Sequence, residues 1–432
     1  MARLLANLQS EFLRAFFGTM AISIWARLAQ LGMTVLLARE LAPEGYGLFT
    51  FALGLGLVGG RVGALGWPVL MLRFIPVYLS EERWGMLKGL LRTANWVVLT
   101  AGCIFGCLVV TGGVWLGPQH ELYSGFLLGG LLLPVMSLRS LARNTLAGYK
   151  NPAKGIFIDE LLPPLLVCLV LITPFVASAV EAALFYLAAS AAAVAVGAWL
   201  LANLEHPKTA SAKAERHLRL WMAIALPALV GMSAKLLMNK TDVIMIAPLS
   251  NLEEVGLYGA ALRITYLQTF PVVVLSTVLS PLFSTAFSQN QFGRLRKLFL
   301  GALLIAGVFS GIVAIPVILA REPIMTTLFG ADYAAGAPVI AVLALAQTTA
   351  SLGFITTSLL LMSGRQNVFG TLTLIALSVN VLGNFALIPQ YGAFGGAIST
   401  MLATGLLFVC QLWVCIKTMR ELRSSKDVGS DA

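Results

Sequence analysis

A chain of 432 residues that is 58% hydrophobic and 11% charged lies far from a soluble composition, in which charged residues make up about 25%. Its net charge of +10 would suggest nucleic acid in a soluble protein. Here the basic residues fall in short connections between long apolar stretches, where anionic headgroups attract them, and this excludes nucleic acid as a partner.

Twelve apolar stretches recur, each long enough to cross a hydrocarbon core of about 30 Å at about 1.5 Å per residue. In chain order they cover 15–38, 47–71, 93–115, 122–142, 155–176, 179–203, 220–248, 256–285, 298–320, 338–362, 369–389 and 393–416. They predict an all-α, polytopic membrane protein with 12 transmembrane helices. The first stretch is too long for a signal-peptide core and no A-x-A-like site follows it, so it is expected to act as an uncleaved insertion signal.

The odd-numbered connections hold only Arg39 and Arg321, whereas the termini and the even-numbered connections carry 22 basic residues, Arg139 and Arg143 among them. By the positive-inside rule these face the cytoplasm and both termini lie inside. Two further segments are amphipathic and expected in the membrane interface: Leu4, Leu5, Leu8 and Phe12 at the start, and Tyr78, Trp84, Leu87 and Leu91 before the third span. Cys103, Cys107, Cys168, Cys410 and Cys415 all fall within spans, with no C-x-x-C pair and no clustered His. Neither a disulfide framework nor a metal site is supported, and no cofactor is expected. No Gly-rich phosphate loop is present, so the chain is not expected to hydrolyse ATP.

The chain repeats itself weakly. Gly45-Tyr46-Gly47-Leu48 follows the first span and Gly256-Leu257-Tyr258-Gly259 the seventh; Gly148-Tyr149-Lys150-Asn151 follows the fourth and Gly364-Arg365-Gln366-Asn367 the tenth. Both pairs stand at the same ordinal connection, which predicts two six-span halves. The polar stretch between them gives an N-terminal lobe over 1–205, a cytoplasmic linker over 206–219 and a C-terminal lobe over 220–432 with a short basic tail. Six spans per half give both halves one orientation, an arrangement whose substrate site lies between the halves.

Five basic residues remain inside spans: Arg27, Arg61, Lys235, Lys240 and Arg263. Each costs at least about 2.5–3.5 kcal/mol at mid-bilayer, and within those spans only Asp242 is acidic. Asp159 and Glu160, one turn past Lys154, are expected at the interface. Arg27, Gln30 and Thr34 share one helical face, as do Lys235, Asn239 and Asp242 on the seventh span. Facing each other across the halves, these stripes would line a wet, cationic cavity suited to a phosphate or diphosphate. The candidate substrate-binding residues are therefore Arg27, Gln30, Arg61, Lys235, Asn239, Lys240 and Arg263, with Asp242 as the ion-coupling candidate. Lys240 reads equally well as an ion-pair partner of Asp242. Asn380 and Asn384 on the eleventh span are expected to bond between helices.

Four stretches carry a family resemblance: Leu37 to Gly47 (LARELAPEGYG), Asp242-Val243-Ile244-Met245-Ile246 with Glu253 to Tyr258, Leu328 to Ala334 (LFGADYA), and Asn380 to Gly396 with Ile388-Pro389 and Tyr391-Gly392. The chain resembles the Wzx-type polysaccharide biosynthesis flippases of the multidrug/oligosaccharidyl-lipid/polysaccharide exporter superfamily. The resemblance implies two six-helix lobes in a MATE-like V in the bacterial cytoplasmic (inner) membrane. It also implies alternating access and export of a polyprenyl-diphosphate-linked oligosaccharide for surface polysaccharide, alongside membrane lipids and the glycosyltransferases and polymerase of the same pathway. Drug-exporting relatives tend to carry an acidic residue on the first span, which this chain lacks. An ion-coupled multidrug efflux antiporter is the alternative. An integral membrane polysaccharide polymerase or ligase fits less well, because the longest external connection offers few ionisable groups.

Overall fold

The computed structural model describes the backbone of residues 2–172, 178–204 and 206–429; the side chains of residues 2–17, 227, 228, 230–235 and 422–429 lie outside the described set. So do the amphipathic N-terminal face, the end of the expected fifth span and the side chain of Lys235. Among the described residues the chain is helical without strands. Eight segments among the described residues are long and apolar enough to cross a membrane, and two of these are bent. This is a multi-pass membrane protein. The chain divides into two compact units, Met1–Ser233 and Ala234–Ala432.

In the first unit, α1 (Ala2–Gly63) carries the first two expected spans and bends at Ala42, where φ is 53° just before Pro43. The second span stops at Gly63 rather than at 71. Gly66 takes a left-handed conformation and α2 (Trp67–Ser80) starts a new direction with Pro68 in its first turn, where a missing N–H costs nothing. Then follow α3 (Trp84–Leu116), α4 (Tyr123–Gly148), α5 (Pro152–Ile156), a π-helical turn at Phe157–Leu161, α6 (Leu162–Leu171) and α7 (Ala179–Ala202). Helices α3 and α4 approach closely: a Cβ on Gly106 would meet the Gly130 carbonyl at 2.6 Å. Small residues permit such contact, which replaces the hydrophobic drive that lipid removes.

The expectation that Tyr78, Trp84, Leu87 and Leu91 lie in the membrane interface is corrected. Tyr78 and Leu87 are fully buried in a core with Trp67, Leu70, Leu90 and Trp221, and Trp84 and Leu91 pack against it. The Trp221 indole donates to the Tyr78 hydroxyl at 3.3 Å, and Trp67 meets Trp221 edge-on at 6.1 Å. Trp221 opens α9 (Leu218–Leu249), more than a hundred residues from Tyr78, a partner that local periodicity cannot reveal. The residues expected as a linker, including α8 (Pro207–Ser211), pack on the start of α3. His206 stacks on Trp84 at 4.5 Å, Lys88 donates to the carbonyls of Ala210 and Ala212, and the Glu215 N–H donates to the Gly85 carbonyl at 3.0 Å.

In the second unit, α9 leads through the Asn251 cap to α10 (Leu252–Thr265), a 3₁₀ turn at Tyr266–Gln268, and α11 (Phe270–Ser288). The expected eighth span is therefore broken, with Pro271 restarting the helix. Next come α12 (Phe292–Leu319), α13 (Arg321–Phe329), α14 (Ala337–Met362) and α15 (Gln366–Gly429), the last bent at Gly392. Gly392 has φ 54°, and the Glu254 carboxylate accepts from the Ala393 N–H beside it at 2.8 Å, capping the helix that restarts there. The core joins Phe283, Phe299, Ile355, Leu359, Val414 and Cys415.

A Cβ at Gly89 would collide with the Glu215 backbone. Gly89→Val must therefore lift the linker, at a cost of about 1–3 kcal/mol for overpacking. Limited trypsin digestion should cut at Lys208 or Lys213 several-fold faster in this variant than in wild type, with the rest of the chain resistant.

Candidate functional site

The first unit collects buried charge around the π-helical turn. Pro163 and Pro164 follow that turn and cannot donate to the carbonyls of Asp159 and Glu160 four residues back, while their rings crowd those carbonyls. Widening to a π turn relieves the crowding. The Glu160 carbonyl accepts from the Gln30 amide at 3.2 Å instead.

Asp159 accepts from Arg139 Nε at 2.9 Å on one carboxylate oxygen and from Arg143 Nη1 at 2.8 Å on the other. Glu160 pairs with Arg143 at 2.6 Å and with Arg27 at 3.5 Å. Arg139 also donates to Ser190 Oγ at 2.9 Å and lies over the Tyr186 ring at 5.8 Å. Arg61 lies in the field of all four of these ion-paired groups on α4 and the π turn, and forms no hydrogen bond or ion pair with a described residue.

Two sequence expectations change here. Arg139 and Arg143 do not belong to a cytoplasmic connection, because α4 continues to Gly148 and their side chains are only 4% and 27% exposed. Asp159 and Glu160 do not sit free at the interface; they are the internal counter-ions. A hydropathy reading ends a helix at an arginine because it cannot see the carboxylate that compensates it. Around the turn, four guanidinium groups (Arg27, Arg61, Arg139, Arg143) face two carboxylates, leaving a positive excess.

In the second unit Asp242 is 2% exposed. One carboxylate oxygen accepts from Tyr258 Oη at 2.6 Å and Thr400 Oγ1 at 2.5 Å. The other accepts from Asn380 Nδ2 at 3.0 Å and Asn384 Nδ2 at 2.8 Å. Among the described residues no basic group pairs with Asp242, so the expected Lys240 ion pair is absent; the Lys240 ammonium lies over the Tyr266 ring at 5.7 Å. Asn384 Oδ1 is buried without a partner. Rotating the two amides would add two oxygens to those of Asp242, Thr400 and Tyr258, a hard donor set with one formal negative charge. Such a set fits a monovalent cation.

Of the other candidates, Arg27 and Gln30 meet each other at 3.5 Å and both reach Glu160. Asn239 is exposed, its carbonyl accepting from Tyr266 at 3.3 Å. Arg263, near the end of α10, is half-buried. Tyr258 and Thr400 escape a sequence reading as partners of Asp242, but the four-residue spacing of Asn380 and Asn384 puts both amides on one face, which was a usable signal.

Arg139 and Asp159 give a stability prediction. Removing one member of a buried ion pair costs about 3–5 kcal/mol, whereas replacing both by apolar groups is often neutral. Asp159→Leu should lower thermal stability strongly, and the double variant Asp159→Leu, Arg139→Met should recover most of the loss. Additive losses in the double variant would show that the two side chains are not coupled.

The polysaccharide biosynthesis protein family matches residues 12–287 of this chain, and the MatE family matches 227–386. An uncharacterized membrane protein of Methanocaldococcus jannaschii is 24% identical over 416 residues, covering 90% of this chain and 80% of that protein. Among solved structures, an inward-facing multidrug resistance MATE family transporter of the MOP superfamily superposes with a TM-score of 0.76 at 12% identity, covering 95% of this chain and 99% of the other. The lipid II flippase MurJ in an inward closed conformation gives 0.70 at 14% identity, with 94% and 89% covered. A MOP superfamily transporter from Pyrococcus furiosus, described as having a binding pocket of reversed polarity, gives 0.62 at 15% identity, with 95% and 96% covered. The fold is thus that of MOP superfamily transporters and flippases, as the sequence resemblance implies. The chain belongs to the polysaccharide biosynthesis protein family.

Proposed function

We propose that this protein is a flippase that moves a polyprenyl-diphosphate-linked oligosaccharide from the cytoplasmic to the outer leaflet of the bacterial inner membrane, with both termini cytoplasmic. The observation that carries this reading is the excess of guanidinium over carboxylate among Arg27, Arg61, Arg139, Arg143, Asp159 and Glu160. Arginine forks match phosphate oxygens, and low dielectric strengthens that attraction. A diphosphate arriving between Arg27 and Arg61 would satisfy the cation that has no hydrogen bond to a described residue and the one held by long contacts to Glu160 and Gln30. The same field repels organic cations. Lys235, Asn239, Lys240 and Arg263 form a separate candidate substrate-binding set in the second unit, and most of the prenyl chain stays in lipid. Glycosyltransferases that complete the glycan and a polymerase that consumes it are the partners this substrate requires.

The buried Asp242 cluster is the proposed energy-coupling element. Its carboxylate accepts from four neutral donors, so a monovalent cation that binds there exchanges the two amide N–H groups for amide oxygens, rearranging the contacts that join Asp242 on α9 to Asn380 and Asn384 on α15. A ligand shifts a two-state equilibrium only through its differential affinity for the two states, and this rearrangement supplies one. The same carboxylate, within the MatE-matching segment, favours a second reading, an ion-coupled drug antiporter.

Two measurements separate the readings. In cells lacking the chromosomal copy, the leaflet of the lipid-linked glycan is scored with an impermeant glycosidase. Wild type should restore external glycan, and Arg27→Ala at equal expression should reduce it about tenfold or more, the effect of losing one charge-assisted bond. Unimpaired export by Arg27→Ala would remove the anion site. Asp242→Asn should abolish dependence of export on the coupling ion gradient while leaving drug sensitivity unchanged; a gain in sensitivity to cationic drugs with normal glycan export would instead support efflux.

A further inference from the structure

A groove of about 680 Å³ runs between α11 and α12 in the second unit, within the range of about 300–1,000 Å³ common for small-molecule sites. Its chemistry changes along its length. At one end stand Arg294 and Lys297, both exposed, in the first turns of α12. Farther along, Leu275 and Leu279 from α11 face Gly301 and Ile305 from α12.

Lys297, Gly301 and Ile305 are spaced by four and form one ridge of α12, which carries the groove about 12 Å from the ammonium into the apolar part. Gly301 keeps the middle open, since a Cβ there would meet nothing within 4 Å. Among the described residues the two cations lack acidic partners. Arg294 donates to the neutral Gln291 Oε1 at 3.1 Å, Lys297 has no hydrogen bond or ion pair with a described residue, and no described carboxylate pairs with either.

An amphipathic groove with two uncompensated cations at its mouth selects a ligand by both parts. The apolar length takes up hydrocarbon, and the mouth asks for more than a single negative charge. An ordinary phosphodiester lipid brings one charge and two acyl chains. A polyprenyl diphosphate brings a multiply charged headgroup on a single chain. We propose that this groove is a docking site for the polyprenyl diphosphate moiety, with the diphosphate on Arg294 and Lys297 and the proximal isoprene units along Leu279, Gly301 and Ile305. The assignment rests on the flippase reading and deepens it, because it gives the diphosphate and proximal isoprene units of the carrier lipid a docking place of their own. It is a second anion site, built from residues other than the Arg27 and Arg61 set.

The test uses the full-length protein in nanodiscs of zwitterionic lipid and a photoreactive polyprenyl diphosphate that carries no sugar. Labelling should map to peptides covering 275–279 and 293–305. The Arg294→Ala, Lys297→Ala double variant should lower it about 30-fold, the effect of two cations on an anionic headgroup. Gly301→Leu, which fills open space without touching a charge, should block labelling while leaving thermal stability at the wild-type value. The inference is overturned if the label maps elsewhere, if the double variant labels like wild type, or if equimolar phosphatidylglycerol competes as well as unlabelled polyprenyl diphosphate. The leaflet assay keeps the two readings apart. External glycan restored by wild type with label outside α11 and α12 overturns this site alone, whereas no probe binding anywhere together with no restored export overturns the flippase reading itself.

Discussion

A charged or polar group inside a membrane-spanning helix has no water to turn to, so its partners must come from the protein, and much of this structure follows from meeting that demand. The clearest instance is Asp159, whose two oxygens are divided between Arg139 and Arg143. The π turn that sets Asp159 and Glu160 side by side, the prolines that create it and the length of α4 all bear on this one pairing. Without it, Arg139 would be an uncompensated charge in the interior of the first unit.

The second unit meets the same demand with neutral donors. Tyr258, Asn380, Asn384 and Thr400 surround Asp242 with hydroxyl and amide groups from α10 and both arms of α15. The contrast between the units is chemical. An acid held by arginines is locked, because neither partner can leave without stranding a charge. An acid held by amides and hydroxyls can exchange those donors for a cation, because the amides can rotate and present oxygen. The first arrangement suits a fixed field around an anion and the second suits a reversible step. The unpartnered Asn384 Oδ1 marks where that second network is incomplete.

Proline and glycine set the breaks that place these groups. Pro163 and Pro164 follow the π turn, Pro271 follows the 3₁₀ turn, and Gly392 allows α15 to bend where Glu254 caps the new helix. At two of these breaks a freed backbone group finds a partner within its own unit, the Glu160 carbonyl with Gln30 and the Ala393 N–H with Glu254, as a break inside a membrane protein requires. The Trp67, Tyr78 and Trp221 cluster plays the corresponding part for the apolar core, drawing the start of α9 onto α2.

The sequence by itself determined the class of protein and which stretches of chain are apolar helices, though not the breaks at Gly63 and at Tyr266–Gln268, since hydropathy and the placement of Lys and Arg are local properties that a bilayer reads segment by segment. It also singled out Arg27, Arg61 and Asp242 as charges needing explanation. Only the tertiary structure decided how those charges are compensated. Arg139 and Arg143 looked like loop residues because their carboxylates lie 16 to 20 residues away, beyond a helical turn. Tyr78 looked interfacial because Trp221 lies 143 residues on, and Asp242 looked like a partner for its neighbour Lys240 because Asn380, Asn384 and Thr400 are 138 to 158 residues distant. Segment hydropathy is set by composition within one span, but the pairing of buried polar groups is set by which helices pack together, and that information is not local.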